Sequence, residues 1–430
     1  MHGGTSMLCP GCSKSRLVSA ILLLASSNYI FAESGIPLSL QEAEALAIER
    51  DAKLSEIRLN SESLQERSVA EGTLPDPKLK VGLANFPTDT FDRDQEAMTQ
   101  IQLGVVQMFP RGKTLELTSS RMGDDAKGEL ARAEAQRRNV IQQVRVSWLD
   151  VYYWQNAVEV VAKNRKLFNE LSNITQSLYA VGRRKQEDVL QAELELGLLD
   201  DRETQVLTMA EISRANLAKL IGPQAAQRPL YKQFPNLPPI VSQAGKPERL
   251  NEHPLLQFEQ ARIDASQKNV EIARQAYKPE WALDVTYGFR DGYNPDGTDR
   301  ADLLSAMVLM DMPIFTGNRQ DKTLEASKLK HQAALYSRED RLRELNKLWE
   351  ATYAEWTRLG ERLRLFETSL VGKAHNNANA ALHAYQNDRG DFSSVMRASI
   401  MEFETQLKAL SVRVEHAKSQ AKLLYLLGDE

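Results

Sequence analysis

The sequence has only two cysteines, Cys9 and Cys12. Both precede an apolar run from Leu17 to Ala25, which follows Lys14 and Arg16 and gives way to small residues down to Ala32. A basic start, a short apolar core and a small-residue end are the pattern of a secretory leader, with cleavage expected near Ala32. The chain beyond the leader then has no cysteine, which excludes disulfides and thiolate chemistry from it. Nor does a cysteine directly after the apolar core offer a lipid anchor. An excess of positive charge is also lacking. Lys and Arg total 54 against 58 Asp and Glu, a net charge of −4, so no basic field argues for nucleic acid. No later stretch reaches the roughly 18 apolar residues of a membrane-spanning helix. That leaves a β-barrel open, because barrel strands give a much weaker signal.

Proline is missing from residues 111–222 and again from 314–430, while six of the 16 prolines fall between Pro223 and Pro247. Two long helical tracts are therefore separated by one irregular linker. The halves on either side match in order. Each opens with a helix, expected near Ser39–Gly72 and Pro247–Tyr277. Each continues with a proline-marked strand start, Pro75-Asp76-Pro77 or Lys278-Pro279, and two strands around a polar loop. A Pro and Gly-basic turn follows, then a long helix carrying Trp148–Tyr152 or Trp349–Tyr353, a glycine break at Gly182 or Gly390, and a last helix. The offset is about 200 residues throughout, so the chain is an internal duplication. The expected division is 1–32 leader, 33–222 first repeat, 223–247 Pro-rich linker and 248–430 second repeat.

The long helices set the fold class. Lys113 to Tyr179 spans about 67 residues, or about 100 Å at 1.5 Å per residue. Leu342, Leu345, Trp349, Thr352, Trp356, Leu359, Leu363, Phe366 and Leu370 step alternately by three and four, a coiled-coil seam. Ile141, Val144, Trp148, Val151, Gln155 and Val158 repeat it less cleanly. Helices this long are stable only when packed along their length. Gly123 and Gly128 are expected to weaken the early turns of the first one.

The strands alternate. Trp281, Leu283, Val285, Tyr287 and Phe289 share one face, opposite Ala282, Asp284, Thr286 and Gly288. Ile101, Leu103 and Val105 alternate with Gln100, Gln102 and Gly104, and Val81 and Leu83 do likewise. Leu303, Ser305, Met307 and Leu309 make the least regular strand. Alternation over about ten residues marks a membrane barrel wall as readily as a half-buried sheet. Four strands cannot close a barrel, since about eight is the usual minimum. Three chains would supply twelve. The expected fold is mainly α with a small β part. Duplicated coiled-coil helices form a trimeric periplasmic tunnel, and four strands per chain join a shared 12-stranded outer-membrane barrel.

This order of elements, with Leu74-Pro75-Asp76-Pro77, Gln107-Met108-Phe109-Pro110-Arg111-Gly112-Lys113 and Tyr179-Ala180-Val181-Gly182 before Asp188-Val189-Leu190, resembles the TolC family of outer-membrane efflux proteins. The resemblance covers nearly the whole chain beyond the leader. It implies a homotrimer held in outer-membrane lipid and extending into the periplasm. Such a duct is a passive route for cargo delivered by an inner-membrane efflux pump and a periplasmic adaptor protein, with no enzyme activity and no cofactor. The segment from Leu83 to Phe91, with Met98-Thr99-Gln100, resembles members paired with heavy-metal or copper pumps. Drugs or secreted peptides are the alternative cargo, and a soluble periplasmic coiled-coil scaffold is the alternative function.

Candidate sites lie at the strands and at the helix breaks. The membrane-facing candidates are Ile101, Leu103, Val105, Trp281, Leu283, Val285, Tyr287 and Phe289. The gate candidates are Glu187, Asp188, Asp388 and Asp391, because a trimer would repeat each carboxylate three times about its axis and such a ring can constrict a pore. The adaptor-docking candidates are Gly182, Arg183, Arg184 and Gly390. Gly112-Lys113-Thr114 has the setting of a phosphate loop, but Gln107 stands where that loop needs glycine, and a repeated turn is the better reading. His253, His331, His375, His383 and His416 have no spacing that makes a closed metal site. No residues form a catalytic constellation.

Overall fold

A computed structural model describes residues 37–240, 248–387 and 389–428. The expected leader, with Cys9, Cys12 and Ala32, lies outside the described residues, as does Asp388. Helices α1 (Leu40–Arg50) and α2 (Ala52–Glu71) come first, followed by strands β1 (Lys78–Ala84) and β2 (Gln100–Phe109). The long α3 (Thr114–Ala180) turns back into α4 (Gln186–Ile221), and a single turn, α5 (Pro223–Ala226), opens the linker. The second half runs through α6 (Pro254–Gln275), β3 (Glu280–Phe289), β4 (Leu303–Asp311), α7 (Gln320–Leu365), α8 (Val371–Gln386) and α9 (Phe392–Leu427).

The duplication is closer than the sequence pattern suggests. Helix α3 has 67 residues, and the stretch from Gln320 to Gln386 has 67 as well; α4 and α9 have 36 each. Thr114, Ala180, Gln186 and Ile221 recur as Gln320, Gln386, Phe392 and Leu427, a constant step of 206. One difference breaks the symmetry. Phe366–Leu370 forms a π-helical turn, whereas α3 is α-helical throughout. The wider turn re-phases the seam, which continues beyond Leu370 as Ala374, Ala378 and Tyr385, all buried.

The expected single helix over Ser39–Gly72 is two. Asp51 leaves the helical region at φ −70°, ψ 101°, and its carboxylate accepts the Leu54 N–H at 2.5 Å. An aspartate that caps the following turn is more stable at a helix start than inside a helix. Helix α6 begins later than expected, with Pro254 at its first position and His253 as cap. Helix α3 runs unbroken through Gly123 and Gly128, and Gly128 has a packing use. A β-carbon there would sit 3.3 Å from Ala261 Cβ, so the missing side chain lets α3 and α6 approach closely.

Helix α3 is the spine. It packs on α1, α2, α4, α6 and α9, while α7 packs on α6 and α9. Val144, Trp148, Leu149 and Val151 centre one core, joined by Leu38, Leu217, Ala421 and Leu424. Leu345, Trp349, Leu250, Leu256 and Leu423 form another, so Trp148 and Trp349 are packing residues.

His253 is fully buried, accepts the Leu255 N–H at 3.2 Å and meets the Tyr425 ring edge-on. Burial, then the positive charge of Arg138, lowers its pKa to about 4. The imidazole is therefore neutral when folded, and the unfolded chain takes up the proton first as pH falls. Stability is fully present above the ordinary pKa near 6.5 and is lost between there and about 4. The loss should approach about 3 kcal/mol per chain at the acid end. Thermal melts at pH 7.5 and 4.5 should show a larger drop for the natural protein than for His253→Asn, which can still cap. Equal drops would contradict this role.

Candidate functional site: barrel wall and helical tips

The strands form one antiparallel sheet in the order β1-β2-β3-β4. The register stacks residues of one face into rows. From one end these are Leu83–Ile101–Phe289, Val81–Leu103–Tyr287–Leu304, Leu79–Val105–Val285–Ala306, Gln107–Leu283–Val308 and Phe109–Trp281–Met310. Apart from Gln107, every member is apolar or aromatic. Val81 and Leu83 are each 71% exposed, and Val105 and Phe289 each 49%. Along β3 the band runs from Trp281 to Phe289, about 27 Å at strand spacing, close to the roughly 25 Å apolar height of a membrane barrel. Phe109 and Trp281 stack at 4.0 Å where the sheet meets the long helices.

The other face is polar on three strands. Lys80 donates to Asp284 at 2.9 Å, and Thr286 donates to the same carboxylate at 2.6 Å. Gln100, Gln102, Gly104 and Gly288 share this face, which turns apolar toward the helical end at Val106, Met108 and Ala282. Strand β4 departs from the pattern. Leu304, Ala306, Val308 and Met310 lie on the apolar face, and Leu303, Ser305, Met307 and Leu309 on the other, so β4 is apolar on both. Beyond the band, Arg300 donates to the carbonyls of Asp94, Glu96 and Asp291, latching the β1–β2 loop to the β3–β4 loop. At the opposite end Arg111 reaches Glu280 at 3.6 Å, Asp311 and the carbonyl of Ala276. That junction ties the two repeats together, so the Gly112-Lys113-Thr114 turn has a structural use.

The α3–α4 and α8–α9 turns are built alike. The Arg183 N–H donates to the Leu178 carbonyl at 2.9 Å, and the Arg389 N–H to the Ala384 carbonyl at 2.8 Å, again 206 residues apart. Gly182 has φ +74°, the left-handed conformation glycine supplies at a helix end. By the same spacing Gly182 corresponds to Asp388 and Arg184 to Gly390, which shifts the pairing of glycines that the sequence suggested.

Arg184 crosses from the first turn to the second. It donates to the Tyr385 carbonyl at 3.0 Å, and its guanidinium stands 4.2 Å from the centre of the Tyr385 ring. Tyr385 is 1% exposed and packs on Phe392. Ser393 donates to Gln191 at 3.0 Å across the same seam. Asp391 caps α9 by accepting the Ser394 N–H at 2.7 Å. Hydrogen bonds from Ser394 hold its carboxyl below the usual carboxylate range, so mild acid leaves it charged. Glu187 and Asp188 lie in the first turn of α4, where the helix dipole favours carboxylates. Sequence reasoning did not single out Tyr385. Its signal was its place on the seam after Ala374 and Ala378.

Residues 247–429 match the family model described as outer membrane efflux protein. Among curated proteins no sequence matches. Among solved structures, a membrane protein from Pseudomonas aeruginosa is similar over 92% of this chain and 91% of its own, with a TM-score of 0.77 at 14% identity. The outer membrane protein VceC of Vibrio cholerae is similar over 90% of this chain and 96% of its own, with a TM-score of 0.75 at 15% identity. The Campylobacter jejuni CmeC outer membrane channel matches over 90% of this chain and 85% of its own, with a TM-score of 0.77 at 13% identity. The family model takes in the second repeat, and the fold of these channels runs through both repeats.

Proposed function

We propose that the chain is one of three identical protomers of an outer-membrane export duct, a passive path for cargo handed over by an inner-membrane pump and a periplasmic adaptor. The observation that carries this reading is the sheet. It has an apolar band of membrane height on one face, an opposite face that carries its polar residues on β1, β2 and β3, and no partner for the outer edge of β1 or β4 among the described residues. An unpaired strand edge seeks another strand, and inside lipid every backbone group must be paired. Three sheets joined edge to edge close at twelve strands and leave no edge. The polar face then lines water and the apolar face meets lipid, which disfavours a soluble scaffold.

The helices continue the duct. Helix α3 reaches about 100 Å from the strands into the periplasm. Leu190, Leu194 and Leu198 leave an exposed apolar stripe on α4, suited to a neighbouring protomer. Gly182, Arg183, Arg184 and Gly390 stand at the far turns, where an adaptor would dock. The gate belongs at the same turns, with the Arg184–Tyr385 contact holding the two hairpins of each chain together. Heavy-metal cations remain the cargo suggested by the Leu83–Phe91 segment. CusC is similar at 13% identity with a TM-score of 0.74, no nearer than VceC or CmeC, so the fold favours no cargo and the partner pump would set it. Purified protein added to a planar lipid bilayer should give discrete conductance steps. A detergent-stable preparation that never conducts would overturn the duct.

A further inference from the structure

We infer that a half-open cleft of about 520 Å³, between the start of α1, the middle of α3 and the proline-rich segment 229–240, binds the zwitterionic end of an amino acid or short peptide. The cleft lies beside Arg145, about 47 Å along α3 from the strands, so it is on the periplasmic part of the molecule. Its volume falls within the roughly 300–1,000 Å³ of small-molecule sites.

Two charged side chains carry the case. Arg145 has a side chain only 5% exposed, and its Nε donates to Glu44 Oε1 at 2.6 Å. Among the described residues, neither terminal nitrogen of Arg145 and not the second oxygen of Glu44 has a hydrogen-bond partner. The free atoms of this pair keep contact with the solvent of the cleft, where a ligand can take the place of water on them. A ligand carboxylate on the free edge of the guanidinium and a ligand ammonium on the free Glu44 oxygen would complete both groups at once. The start of α1 faces the same space, with Ser39 capping it and Gln41 in the wall, and its dipole favours a carboxylate there. Trp148, Tyr231 and Phe234 supply apolar walls for an aliphatic side chain. Arg145 also borders a void of about 10 Å³ under the end of α9, which has room for a water and nothing larger.

The test is calorimetric titration of the full detergent-solubilised protein with L-leucine, leucyl-leucine and N-acetyl-leucinamide, which carries neither charge. One of the two zwitterions should bind at least tenfold more tightly than the uncharged amide. Preference for leucine or for the dipeptide tells a free amino acid from a peptide end. Glu44→Gln and Gln41→Ala should each weaken the zwitterion, and Gln41 is exposed enough that its loss leaves the fold intact. No heat from either zwitterion at millimolar concentration, or equal affinity for the uncharged amide, would overturn the site.

Discussion

Val105→Arg should remove the protein from the outer membrane, whereas Gln102→Arg, three residues earlier on the same strand, should leave it there. Val105 sits in the middle row of the apolar band, between Leu79 and Val285. An arginine on the lipid face of a barrel at mid-membrane costs about 2–4 kcal/mol, and a trimer would carry three, or about 6–12 kcal/mol. That approaches the whole stability of an ordinary domain. Gln102 lies on the opposite face between Gly82 and Gly288, so an arginine there extends into water. Membrane fractionation decides the matter. Equal outer-membrane yields for the two variants would mean that the band does not face lipid.

Arg184→Ala should raise the single-channel conductance several-fold in planar bilayers. The side chain supplies a charged hydrogen bond to the Tyr385 carbonyl and a cation–π contact with its ring. Together these are worth about 2–4 kcal/mol per chain. Over three protomers the closed state loses about 6 kcal/mol or more, enough to invert a two-state equilibrium. Tyr385→Leu keeps the backbone acceptor and loses the ring, so its effect should be smaller and in the same direction. Asp391→Asn retains a capping side chain and should change conductance little. Unchanged conductance in both Arg184→Ala and Tyr385→Leu would place the constriction elsewhere.

Much of this architecture was legible because long, repetitive elements carry redundant signals. The seam from Leu342 to Leu370 repeats its alternating step eight times, and the proline-free tracts mark the hairpins without ambiguity. The strands were legible as alternation, and β4 was least so because it is apolar on both faces. Its register, with Leu304 beside Tyr287, follows from pairing with β3 and from nothing local. The break at Asp51 was hidden for a related reason. An aspartate between Arg50 and Ala52 reads as an exposed helical position until its carboxylate is seen accepting the Leu54 N–H. At the tips the chemistry is long-range. Arg184 and Tyr385 are 201 residues apart, and only the folded hairpins bring them together. The carboxylates were conspicuous in sequence because charge is visible there. The aromatic residue that receives the arginine was not, because a tyrosine at a seam position reads as packing.

The central claim is that this four-stranded sheet is one third of a closed wall. It is tested most directly by the native mass of the protein after extraction from membranes. Only detergent should release it, as a particle of three chains that falls to one chain on heating. A single chain released by osmotic shock without detergent would contradict it.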